Sequence, residues 1–222
     1  MIPHKTIVAW SSGKDSAWSL YQARLNPELE VVGLLTTVTE AFHRVSMHGV
    51  RVELLEAQAR AARLPLYQVP IPYPCPNEVY ETAMAAALKK AQEAGVTRIV
   101  FGDLYLADIR EYREAKLKGT GFEGVWPLWL QDTHDLSRRM VKGGLKASVA
   151  CLDPKHLPRT FAGRVYDDQL LNDLPPKVDP CAENGEFHTF AWDGPMFSEP
   201  IRFQVGETVE RDGFVFTDFL PA

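Results

Sequence analysis

Short apolar runs alternate with longer stretches of helical periodicity through the first half of the chain. Ile7, Val8, Ala9 and Trp10 read as a buried strand, and from Asp15 onward Ala17, Trp18, Leu20 and Tyr21 recur with helical spacing. "LEVVGLLTTV" (29–38) is a second buried strand. "VRVELLEAQARAARL" carries a helical stripe at Val52, Leu55, Ala59 and Ala62, and "PLYQVPIP" is a third strand stopped by prolines. A helix is expected from Pro76-Asn77 to Gly95, and "VTRIVFGDL" gives a fourth strand. This order implies right-handed crossovers and a doubly wound parallel sheet, so the expected fold class is α/β.

Beyond residue 105 the pattern changes. "LADIREYREAKLKG" reads as a charged helix, "GVWPLWLQDTHDLSRRMVKGG" sets two Trp around a Pro, and "LKASVACLD" reads as a strand. Asp212-Gly213 between alternating apolar runs signals a hairpin. The expected division is a sheet domain over 1–130 and a smaller C-terminal α+β subdomain over 131–222, packed together.

Parallel sheets collect ligands outside the carboxyl ends of their strands. Three polar clusters fall there: Ser11 to Ser16, Thr36 to Glu40, and Gly102-Asp103. "SSGKDS" (11–16) sits where a strand turns into a helix, so unpaired N–H groups and the helix dipole favour an anion. Lys14 adds a charge, Ser11, Ser12 and Ser16 add hydroxyls, and Gly13 permits the turn. The plainer alternative is that Ser12 or Asp15 caps the helix and Gly13 closes a turn.

With 222 residues, 45% hydrophobic and 24% charged, the chain has enough material for one large domain or one with a small appendage. A formal charge of −5 gives no footprint for nucleic acid, which is not an expected partner. Cys75, Cys151 and Cys181 stand far apart without a CxxC pair, which suggests neither zinc nor disulfides. No apolar run resembles a signal peptide or a membrane span, so the expected compartment is the cytoplasm. Self-association is left open.

"SSGKDS" after a strand resembles the SGGxDS signature of PP-loop ATP pyrophosphatases, in the adenine nucleotide alpha hydrolase superfamily, which implies a HUP-like fold. "RVSMHGVR", "FGDLYLADIREYRE" followed by "PLW", and "ENGEFHTFAWDGPMF" narrow this. Together they resemble the diphthine–ammonia ligase family along essentially the whole chain. Two departures stand out. Ser12 occupies the second Gly of the signature, and "ENGEFHT" replaces the EGGEYET of archaeal and eukaryotic members, a variant that resembles bacterial ones. The chemistry implied is ATP-driven amide formation, with ammonia attacking an adenylated carboxylate on a small molecule or a protein side chain. AMP and pyrophosphate leave. The acceptor need not be diphthine.

The resemblance implies roles. Ser11, Ser12, Gly13, Lys14, Asp15 and Ser16, with Thr36, His48, Gly49, Gly102 and Asp103, would hold ATP. Asp15 and Asp103 would hold Mg²⁺, although Asp15 also suits a first-turn helix acid. Arg110 and Arg113, three apart on one helical face, would clamp phosphate or a carboxylate, where many helix arginines are simply solvated. Glu183, Asn184, Gly185, Glu186 and Thr189 would form the acceptor pocket, where an isolated run would be a surface turn. Lys14, Glu186 and His188 are the catalytic candidates, the last two as proton acceptors. Two other readings remain. One is a tRNA-modifying enzyme of thiolation or lysidine type, with sulfur on Cys75 or Cys181. The other is a non-catalytic ATP-binding regulatory module.

Overall fold

The structure, a computed structural model, describes residues 2–222. Strand β1 (His4–Ala9) pairs in parallel with β2 (Leu29–Thr39) on one side and with β5 (Arg98–Val100) on the other. β4 (Leu66–Ile71) lies outside β2 and β6 (Glu123–Val125) outside β5, so the parallel strands run β4-β2-β1-β5-β6. A short β3 (Arg44–Val45) folds back antiparallel on the end of β2. The order reverses between β1 and β5, which sets the ligand crevice at their carboxyl ends.

Helices α1 (Lys14–Leu25) and α2 (Val52–Ala62) cover one face. Helices α3 (Asn77–Glu93) and α4 (Ala107–Leu117) cover the other, over Ile7, Leu35, Ile99 and Phe101. After β6 the chain forms α5 (Thr133–Lys142), β7 (Lys146–Leu152), α6 (Asp168–Asp173), β8 (Phe187–Asp193), β9 (Phe203–Arg211) and β10 (Phe214–Pro221). Four of these strands make a second, antiparallel sheet ordered β8-β7-β10-β9. The β9–β10 turn is the Asp212-Gly213 pair, with φ of 51° and 81° as a two-residue hairpin requires.

The second sheet is not an appendage. Val8, Leu34 and Leu54 belong to the same buried cluster as Val149, Phe190 and Val215, so the face bearing α1 and α2 is roofed by β7, β8 and β10.

The run 183–189 is not an isolated surface turn: Phe187 opens β8, and His188 and Thr189 pair with Cys151 and Val149 of β7. Phe187, Thr189, Phe190 and Ala191 are all buried, which hides the alternation a half-exposed strand would show. Helix α5 is a further addition to the expected elements, and Asp132 caps it by accepting the Asp135 N–H at 2.9 Å.

Candidate functional site

The turn from β1 into α1 places Ser11–Ser16 at the switch point. Its shape is fixed mostly from within and from the C-terminal sheet. The Ser11 hydroxyl donates to Ser16 Oγ at 3.1 Å, and the Ser16 hydroxyl donates to the Gly13 carbonyl at 3.0 Å. Lys14 N–H, one of the donors a helix start offers an anion, is taken by Thr189 Oγ1 of β8 at 3.0 Å. A Cβ on Gly13 would come within 2.8 Å of His48 Cε1 and 3.2 Å of the Thr189 carbonyl, so close approach demands glycine there. Gly102 is a second such point, because its Cβ would lie 3.1 Å from the Asp15 carbonyl carbon.

Ser12 adopts φ 67°. The left-handed region costs an ordinary residue about 1–2 kcal/mol, which explains why glycine suits this position in the signature.

Lys14 does not reach outward. It is 2% exposed, and its ammonium donates to Asp15 Oδ2 at 2.8 Å and to the Cys181 carbonyl. The rings of Tyr166 and Phe187 complete a cage, with centroids 5.6 and 5.5 Å from Nζ. Burial works to lower its pKa, but the negative groups around it, Asp15 foremost, outweigh burial and raise it. Burial also raises the Asp15 pKa, against the pull of Lys14. Asp15 Oδ1 is buried without a hydrogen-bond partner, so it is an oxygen suited to a cation.

Asp103 is committed elsewhere. Arg113 forks onto both its oxygens at 2.7 and 3.0 Å, and Trp126 Nε1 donates to Oδ2 at 3.1 Å. With both oxygens taken, Asp103 has none to offer Mg²⁺, and among the described residues no three ligating side chains converge on one point. Arg110 is held by Glu114 at 2.8 Å and lies over the rings of Trp126 and Trp129. Arg113 lies over Phe101.

The run 183–189 turns inward. Glu186, 2% exposed, accepts from Asp179 N and Asn184 Nδ2 through Oε1 and from Asn184 N through Oε2. Glu183 accepts from Leu104 N at 2.7 Å and Tyr105 N at 3.2 Å, tying this segment to the β5–α4 turn; burial raises its pKa. Asn184 is exposed, and Gly185 makes the turn at φ 83°. These bonds hold the motif against the β5–α4 turn and the segment around Asp179.

His48 and His188 pack against each other, tilted by 40° with ring centroids 4.5 Å apart, and His48 Nδ1 lies 3.2 Å from the Thr189 carbonyl. Burial, then the neighbouring imidazole, pushes His48 well below its ordinary pKa. Burial, then Lys14, pushes His188 down to about 4, so both rings are neutral at pH 7. The segment bearing His48 and Gly49 is anchored by Asp218 of β10, which accepts from Arg44 at 2.9 Å and from Arg51 at 3.0 and 2.6 Å.

On the far face, a cleft of about 860 Å³ runs between α3 and α4. Ser11 and Thr36 stand at its upper end, Leu35, Ile99 and Phe101 form its floor, and Met84 and Arg113 line its walls. Thr36 Oγ1 is buried without a partner.

Family models match both halves of the chain: the diphthamide synthase N-terminal domain over residues 4–122 and the diphthamide synthase C-terminal domain over 132–217. The chain belongs to the diphthamide synthase family. It is 27% identical over 239 residues to a diphthine–ammonia ligase of Homo sapiens, covering 93% of this chain and 85% of that one. To the diphthine–ammonia ligase of Mus musculus it is 28% identical over 236 residues, with the same coverage. The seam between Ser12–Lys14 and Thr189–Ala191 is therefore where the two family domains meet.

Sequence reasoning missed Gln58, Asp218 and the α3–α4 cleft. Gln58 carried a signal, since it is a polar residue on the stripe that Leu54, Leu55 and Ala62 bury. Asp218 carried none, because its arginine partners lie 174 and 167 residues away.

Proposed function

We propose that this member of the family is an ATP-dependent amide ligase that adenylates a carboxylate and passes it to ammonia, releasing AMP and pyrophosphate. The observation that carries the reading is a phosphate-type loop at the β1/β5 switch point, opening beside a cleft with an apolar floor. The named activity of the relatives, diphthine–ammonia ligase, supports the same chemistry.

In this reading residues 1–130 hold the nucleotide and 131–222 roof the site. The phosphates lie against Ser11–Ser16, and the base enters the cleft over Leu35, Ile99 and Phe101 beside Thr36. Asp15 Oδ1 is the side-chain oxygen that fits Mg²⁺, which would neutralise charge on the departing pyrophosphate. Lys14 contributes its positive field from behind the loop and not by direct contact, because its ammonium is caged. Asp103 acts by aiming Arg113 across the cleft wall. With both Glu186 oxygens occupied, His188, adjacent to the loop, is the group left to take a proton, and the acceptor carboxylate approaches past Asn184. The acceptor is diphthine or another carboxylate.

The test is chromatography of nucleotides after incubation with ATP, Mg²⁺, ammonium and a panel of carboxylates that includes a diphthine-bearing protein. AMP and pyrophosphate are the expected products. ADP with orthophosphate, or no turnover across the panel, would overturn the reading.

A further inference from the structure

Gln58 lies mid-way along α2, with none of its surface exposed, and every polar atom of its amide is used. Its Nε2 donates to the Ser12 carbonyl at 3.0 Å and to the Ala191 carbonyl at 2.6 Å, while its Oε1 accepts from Trp10 Nε1 at 3.0 Å. The orientation is forced: an indole only donates and a carbonyl only accepts, so turning the amide over would lose all three bonds. The Ser12 carbonyl takes a second bond, from Ala191 N at 2.9 Å. Ser12 stands at φ 67°, and its own hydroxyl is buried without a partner, so nothing in its side chain holds that backbone conformation. Its carbonyl instead takes two donors, one from α2 and one from β8.

We propose that Gln58 is a positioning residue for the phosphate loop, pinning Ser12 in the left-handed conformation that a glycine would adopt unaided, and so setting the anion-binding shape of residues 11–16. This rests on the reading of that loop as the nucleotide site. It also accounts for the departure of the loop from its glycine signature: where Ser replaces Gly, the conformation has to be imposed from outside.

A role in general packing and a role in holding Ser12 make different predictions, because only the second depends on which residue stands at position 12. Four proteins separate them: the parent, Gln58→Met, Ser12→Gly, and the double variant. Each is measured for ATP affinity by calorimetry and for melting temperature. In the parent, Gln58→Met should weaken ATP binding on the order of tenfold, the size a coupling between touching residues reaches. Made on top of Ser12→Gly, the same change should cost no more than about twofold. Equal losses in the two settings would overturn the proposal. Should Gln58→Met fail to fold, Gln58→Asn, whose shorter stem draws the amide away from the Ser12 carbonyl, replaces it in the same cycle with the same criterion. A parent chain that binds no ATP would refute the nucleotide reading alone. The coupling is then judged on melting temperature, where Ser12→Gly should recover much of the Gln58→Met loss, and strict additivity would overturn it.

Discussion

Lys14 shows how far a single residue can be read from its neighbours. The sequence places a cation at a helix start beside a turn, and electrostatics alone points it at an anion. Three groups distant in sequence turn it inward: the Cys181 carbonyl and the rings of Tyr166 and Phe187 offer a buried cage that the local chain does not contain. Lys14→Met should therefore act first on stability. Removing the buried ammonium leaves Asp15, whose side chain is 28% exposed, without its partner; partial hydration holds the cost to roughly 1–3 kcal/mol, and adding Asp15→Asn should recover most of it. Urea titrations of the single and double variants check this; an unchanged midpoint for Lys14→Met would place the ammonium outside the cage. Glu186→Gln is the milder case. Its new amide NH₂ meets N–H donors already aimed at it, so a loss of about 1–3 kcal/mol is expected in the same assay.

Among the elements, β3 and the start of α2 are held to the second sheet by Asp218. Burial alone would raise the Asp218 pKa, but Arg51 and Arg44 outweigh it and bring it from the ordinary 3.8 to about 2. A folded-state pKa below the unfolded one means stability that is present above pH 3.8 and lost as pH falls through about 2. Solvent screening at this partly exposed site reduces its worth to on the order of 1 kcal/mol. The histidine pair acts earlier. With His188 at about 4 and His48 also depressed from 6.5, the unfolded chain takes up protons first as the solution acidifies. Stability should thus fall between pH 6.5 and about 4, and His188→Asn should flatten that part of the profile. A profile unchanged by the substitution would show that the ring does not sense the seam. Here too the sequence offered only half: "RVSMHGVR" stood out as a motif, but not the aspartate that anchors it.

Across both domains the two sheets share one buried cluster, running from Val8 and Leu54 to Val149 and Phe190. Such a core cannot be divided without exposing both sides, so the chain should unfold in one cooperative transition. Residues 1–130 expressed alone should lack the near-ultraviolet circular dichroism of a packed core, and a native-like spectrum from that fragment would refute the shared-core account. Neighbouring residues suffice for the strand–helix alternation, the parallel sheet, the phosphate-type turn at 11–16 and the Asp212-Gly213 hairpin. Period, capping and turn chemistry are local, and they are written in adjacent residues. It took the packed molecule to establish that Lys14 faces inward, that 187–189 belongs to a strand, that Asp103 serves Arg113, and that Gln58 bonds to Ser12. Each of these depends on which distant donor or acceptor reaches a buried group first, and that is fixed by packing across the seam rather than by any spacing along the chain.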